Sequence, residues 1–129
     1  PVREYVSALP AHIEGHPLLG TPRSSLSFEG AWSVRLAAQG FHIVHTHPLG
    51  WISSAFYVSL PKAMGTGQSG WLQLGAPPPD LRTGLTPTYM IEPKPGRLAL
   101  FPSTMWHGTV PFDDGERLTI AFDMRSPSH

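Results

Sequence analysis

Cysteine is absent from the 129-residue chain, which excludes disulfides and thiolate ligands. Any metal bound here must use nitrogen and oxygen donors, a set that suits iron, manganese, nickel or zinc held by imidazole. Charge is scarce as well: nine basic and nine acidic residues cancel and make up only 14% of the chain. No basic surface is therefore available to draw nucleic acid or an anionic membrane, and a small molecule or peptide is the expected partner. No apolar run nears the roughly 20 residues that cross a bilayer, and the N-terminus lacks the basic-then-apolar order of a secretion signal. The expected location is the cytoplasm.

The length allows one domain with a real core but not two. We expect a single domain over residues 1–129 with its core at about 32–124. Because the chain starts at Pro1 and ends in Arg125-Ser126-Pro127-Ser128-His129, it is expected to be cut from a longer protein.

Turn formers are abundant, with fifteen prolines and thirteen glycines. Val2, Tyr5, Val6 and Leu9 recur at helical spacing and predict an N-terminal helix ended by Pro10. Residues 15–30 read as a loop, with one short strand at Ser25-Leu26-Ser27-Phe28. Trp32, Val34 and Leu36 then alternate with polar residues, the period of a half-buried strand. Strand-like runs follow at 41–47, 51–60, 70–74, 88–92, 97–101, 105–110 and 116–124, each set off by Gly, Pro or Asp-Gly. Pro93-Lys94-Pro95-Gly96 predicts a tight turn and Asp113-Asp114-Gly115 a hairpin loop. Residues 75–87 form the one long irregular segment, a lid or a solvated connection. This spacing predicts a mainly β fold, an antiparallel sandwich or barrel.

His45-Thr46-His47 is the stretch that carries chemistry. Residues two apart on a strand share a face, so both imidazoles can turn to one ion. His107 is the candidate third ligand. Such a pair also occurs as ordinary hydrogen-bonded strand residues, and His107 can equally be a core histidine. Arg117 favours the site reading: a hairpin through residues 113–115 would bring its guanidinium toward the histidines. With Thr119 two residues on, it offers a fork and a hydroxyl to one carboxylate. A salt bridge to Glu116 is the alternative. Yet residues 118–122 read as buried on at least one face, and a buried arginine wants an anionic partner.

His45-Thr46-His47, His107 and Arg117-Leu118-Thr119 together resemble the skeleton of the Fe(II)- and 2-oxoglutarate-dependent oxygenases. Gly40-Phe41-His42, the run Gly50 to Val58, and Leu100-Phe101-Pro102-Ser103 are similar to a bacterial group of 2-oxoglutarate oxygenases within it. The resemblance runs from about Trp32 to Asp123. It implies a double-stranded β-helix, the jelly-roll or cupin-like barrel, with a flanking N-terminal helix. It also implies Fe(II) on His45, His47 and His107, with 2-oxoglutarate on Arg117 and Thr119. Tyr57 would donate to the same carboxylate, and O₂ would be used to hydroxylate a substrate. One departure is His47, where the wider superfamily carries Asp or Glu. Trp51, Trp71, Trp106 and Phe56 are candidate aromatic walls. A cupin dioxygenase or isomerase with a three-histidine centre, or a non-catalytic barrel that binds a ligand, are the alternatives. Residues 48–54 lack the glutamate a cupin would place there.

Overall fold

Alternating apolar and polar residues build seven strands among the described residues of this computed structural model, which are 1–23, 26–37, 46–47, 50–62, 67–78, 81–113 and 115–125. A short helix, α1 (Val2–Ser7), precedes β1 (Ser27–Ala37), β2 (Ile52–Ser59), β3 (Leu72–Leu74), β4 (Tyr89–Ile91), β5 (Leu98–Pro102), β6 (His107–Thr109) and β7 (Glu116–Arg125). The strands pair antiparallel in two sheets, one ordered β1-β7-β2-β5 and the other β4-β3-β6. The chain thus crosses between the sheets after β2, β4, β5 and β6, within the expected double-stranded β-helix.

Several boundaries move. The expected short strand near Phe28 and the alternation from Trp32 belong to one strand, β1, because β7 offers partners from Ser27↔Arg125 to Ala37↔Glu116. Helix α1 stops at Ser7 rather than Leu9, since Pro10 disfavours helical geometry in the residue before it. Residues 41–45, the first part of the strand expected to end at His47, lie outside the described residues.

The hairpin expected between His107 and Arg117 does not form. β6 belongs to the three-stranded sheet and β7 to the four-stranded one. Leu74↔His107 already pairs β6 with β3, and Pro111 has no N–H to extend a ladder. The chain therefore crosses from one sheet to the other, and both residues are delivered to the space between the sheets.

β7 is one of two inner strands, paired on both sides as β2 is, and its period of two sorts the molecule. Its even positions Phe122 and Met124 pack into an outer core with Trp51, Ile52, Val6, Leu18 and Leu19. His16 fixes the turn bearing the two leucines: its Nδ1 accepts from the Leu18 and Leu19 amides at 3.1 and 3.0 Å. Leu72, Leu74, Ala99 and Phe101 form a second cluster between the sheets. The odd positions Arg117, Thr119 and Ala121 line a cavity beside it.

The turn at residues 94–97 bears on that cavity. Arg97 N–H bonds Lys94 O at 2.9 Å, and Gly96 has φ +83°. With Pro95 before it, this is a type II turn, whose third position needs positive φ and so favours glycine. Gly96 and Tyr57 are then tied together, Gly96 N donating to Tyr57 O at 2.8 Å and Tyr57 N to Arg97 O at 3.1 Å. The proline–glycine turn thereby holds the backbone of a cavity residue.

Candidate metal centre and co-substrate pocket

Between the sheets lies a cavity of about 130 Å³, bounded by His47, Tyr57, His107, Thr109, Arg117 and Thr119, with Trp32 and Phe101 as aromatic walls. Five of the six residues expected from the sequence therefore meet in one space. The sixth, His45, lies outside the described residues. Among the described residues no three metal-ligating side chains converge.

His47 is held through its backbone, its N–H donating to Ser103 O at 2.8 Å and its carbonyl accepting from Gly50 N at 3.1 Å. Its ring stacks on Trp32 at 6.2 Å and lies 4.8 Å from the His107 ring, centre to centre. His47 Nδ1 is 2.5 Å from Asp123 Oδ2, and His107 Nδ1 is 3.0 Å from Met105 O. A carboxylate and a carbonyl only accept, so in the neutral ring Nδ1 carries the proton in both and Nε2 carries the lone pair. This is the form in which a histidine ligates a metal while an oxygen behind it sets the tautomer.

Arg117 is only 4% exposed. Its Nη1 donates to Gly70 O at 3.0 Å and its Nη2 to Thr109 Oγ1 at 2.9 Å, while its Nε has no hydrogen-bond partner. Among the described residues no carboxylate pairs with it, Glu116 included. Burial lowers its pKa and the nearby Tyr57 offsets part of that, but a guanidinium keeps its charge in a protein. Tyr57 is 1% exposed, with Arg117 Cζ 5.9 Å from its ring centre. Burial raises its pKa, against smaller opposite effects of Arg117 and Arg97, so the phenol stays protonated and can donate. A buried cation with an unsatisfied N–H, beside two histidines presenting Nε2, fits a divalent metal and an anionic ligand.

Thr109 was not foreseen from the sequence. The Arg117–Thr119 fork was expected, but Thr109 supplies the hydroxyl that Arg117 bonds, and Thr119 Oγ1 instead sits 3.5 Å from Val34 O. Only the pairing of β6 against β3 reveals it. Replacing Thr109 with Val keeps the shape but strands a second buried guanidinium N–H. The expected loss of stability is about 1–3 kcal/mol, read from urea unfolding.

Asp123 was also missed, although it shares the parity of Arg117 and Thr119 on β7. The aromatic walls differ from those expected, being Trp32 and Phe101. Trp51 lies in the outer core, its Nε1 donating to Leu18 O at 3.2 Å. Phe56 pairs with Ile120 on the opposite face from Tyr57. Trp106 faces a separate hollow with Pro102 and Thr104, and Trp71 does not line the cavity. None of the described residues of the 75–87 loop lines it either, which removes support for their acting as its lid.

Residues 30–123 match the model of a family described as putative 2OG-Fe(II) oxygenase. The chain belongs to this family. Its cofactors are accordingly Fe(II) and 2-oxoglutarate, and this member of the oxygenase family folds like several solved relatives. One is an oxidoreductase of the 2OG-Fe(II) oxygenase family from Burkholderia pseudomallei, with a TM-score of 0.62 and 13% identity over 81% of this chain and 47% of that one. A prolyl-4-hydroxylase of Pseudomonas putida gives 0.57 and 20% over 76% and 51%. A viral collagen prolyl hydroxylase from Paramecium Bursaria Chlorella virus-1, in its 2OG complex, gives 0.57 and 18% over 97% and 67%. At such identities the likeness is one of fold, and the oxygenase spans about half the length of the first two. No curated protein matches the sequence. No helix among the described residues is long and apolar enough to cross a membrane.

Proposed function

We propose that this oxygenase hydroxylates a small-molecule or peptide substrate, with iron on His45, His47 and His107 and the distal carboxylate of 2-oxoglutarate on Arg117, Thr119 and Tyr57. The observation that carries this reading is Arg117. It is a buried cation, short of one hydrogen bond, in the same cavity as two histidines whose Nδ1 atoms are tied back. A cupin-type centre does not require such an arginine, whereas a co-substrate with a free carboxylate does.

When bound, Fe(II) would activate O₂, the oxidant, and 2-oxoglutarate would supply two of the four electrons that O₂ takes up, leaving as succinate and CO₂, while the substrate supplies the other two. The chain's own residues bind, orient and exclude. Arg117 neutralises a carboxylate through its unsatisfied N–H, and Tyr57, kept protonated by burial, donates to an oxygen. Met105 O and Asp123 keep the ring protons on Nδ1. Leu72, Phe101 and Ala121 line the cavity with apolar surface. At about 130 Å³ it is smaller than the roughly 300–1,000 Å³ of ordinary ligand pockets, so it suits a compact co-substrate. The primary substrate would meet it from the side of Trp32, which is 41% exposed.

The test is calorimetric titration of 2-oxoglutarate into the protein loaded anaerobically with Fe(II), followed by measurement of succinate once air is admitted. Binding and succinate release are expected. If no 2-oxoglutarate binds, a cupin-type centre or a binding module takes the place of this reading.

A further inference from the structure

Asp123 is the one acidic side chain that reaches the cavity's histidines among the described residues. Its side chain is about nine-tenths buried, and its Oδ2 lies 2.5 Å from His47 Nδ1. β7 places it opposite Ser53 of β2, where the Ser53 and Ser103 hydroxyls bond each other at 2.8 Å. Gly50 leaves the room: an added Cβ would stand 2.7 Å from Ser103 Oγ and 3.6 Å from Asp123 Cβ. The backbone of His47 is fixed on the same side, its N–H bonding Ser103 O. Ring and backbone are therefore held from one direction.

We infer that Asp123 is the positioning residue of this centre: its carboxylate fixes the tautomer and direction of the His47 ring and places a negative charge one hydrogen bond behind a histidine-only ligand set. The inference rests on His47 being a ligand. An ionised carboxylate accepts only, so the His47 proton stays on Nδ1 and Nε2 is aimed away from Asp123. The contact also makes the imidazole a stronger donor to a cation, and loss of such an outer partner typically weakens metal binding about 10–100-fold. At His107 the Met105 carbonyl, a neutral acceptor, takes the corresponding place on Nδ1. The Asp123 charge is delivered to the His47 ring, and it moderates the combined positive charge of a divalent metal and Arg117.

The experiment uses D123N and D123A beside the wild type, with Mn(II) as the calorimetric probe and two-bond ¹H–¹⁵N imidazole spectra of the metal-free proteins. Asn keeps the acceptor and removes the charge. D123N is expected to retain the His47 Nδ1–H tautomer but bind Mn(II) about tenfold more weakly, toward the lower end of the usual range. D123A is expected to lose the tautomer preference and fall toward about 100-fold. His107 should keep its tautomer in both, since its acceptor is untouched. Should D123A not fold, D123N, nearly isosteric, decides the question. Affinity within twofold of wild type in either variant, or a wild-type His47 ring protonated on Nε2, overturns the inference. Wild-type protein that takes up no Mn(II) overturns the metal reading itself, and the metal-free spectra still judge whether Asp123 sets the ring.

Discussion

Changing His107 to Ala is expected to abolish stoichiometric iron binding and, with it, all 2-oxoglutarate turnover. The ring is buried on β6 between Phe101 and His47, with centroids 4.7 and 4.8 Å away, and its Nδ1 is committed to Met105 O. Its only route to a metal is Nε2. Removing a ligand outright should cost more than the roughly 10–100-fold caused by losing an outer partner. Metal content after anaerobic loading and desalting is the measurement, with unfolding of the metal-free variant run alongside. Full iron occupancy in H107A would exclude His107 from the centre.

Arg117→Leu should act on the other half of the site. A charge-assisted, forked contact to a carboxylate is worth about 1.5–3 kcal/mol in a closed pocket, so the dissociation constant for 2-oxoglutarate should rise at least about tenfold. Iron binding should survive, because the arginine is tied to Gly70 O and Thr109 Oγ1 and to neither histidine ring. That separation is the informative part. Loss of iron in R117L would mean a collapsed cavity, and unchanged 2-oxoglutarate affinity would move the carboxylate site elsewhere. R117K should recover little, since an ammonium cannot reproduce the planar fork.

Period-two alternation made most of this architecture legible beforehand. It marked β7, and with it placed Arg117 and Thr119 on one face; His107 came instead from its place ten residues before Arg117, the separation that the resemblance to the oxygenases implies. What alternation cannot tell is which strands pair. The 113–115 turn looked like a hairpin, yet β6 finds its partner in β3, seen in Leu74↔His107, and that long-range pairing alone brings Thr109 under Arg117. Asp123 had the right parity, but its contact with His47 spans 76 residues, and no local signal reports such a distance. The aromatic walls failed for a related reason. Trp51 lies just ahead of β2, where the chain bends and buries the indole under Leu18, so a short-range pattern could not predict its direction.

The two sheets meet at the site in a way that couples chemistry to folding. Arg117 rises from the four-stranded sheet and bonds Thr109 of the other. His107 stands on the three-stranded sheet, whereas His47 is moored to Asp123 of the four-stranded one. An ion held by both rings would act as a rivet through the sandwich, and a dicarboxylate on Arg117 as a second. Occupancy then registers as resistance to unfolding: ligand at about a hundred times its dissociation constant adds about 2.7 kcal/mol. Amides of β3 and β7, on opposite sheets, should gain protection from hydrogen exchange together. Conversely, a fluctuation that parts the sheets would separate His107 from His47 and Thr109 from Arg117 in one event.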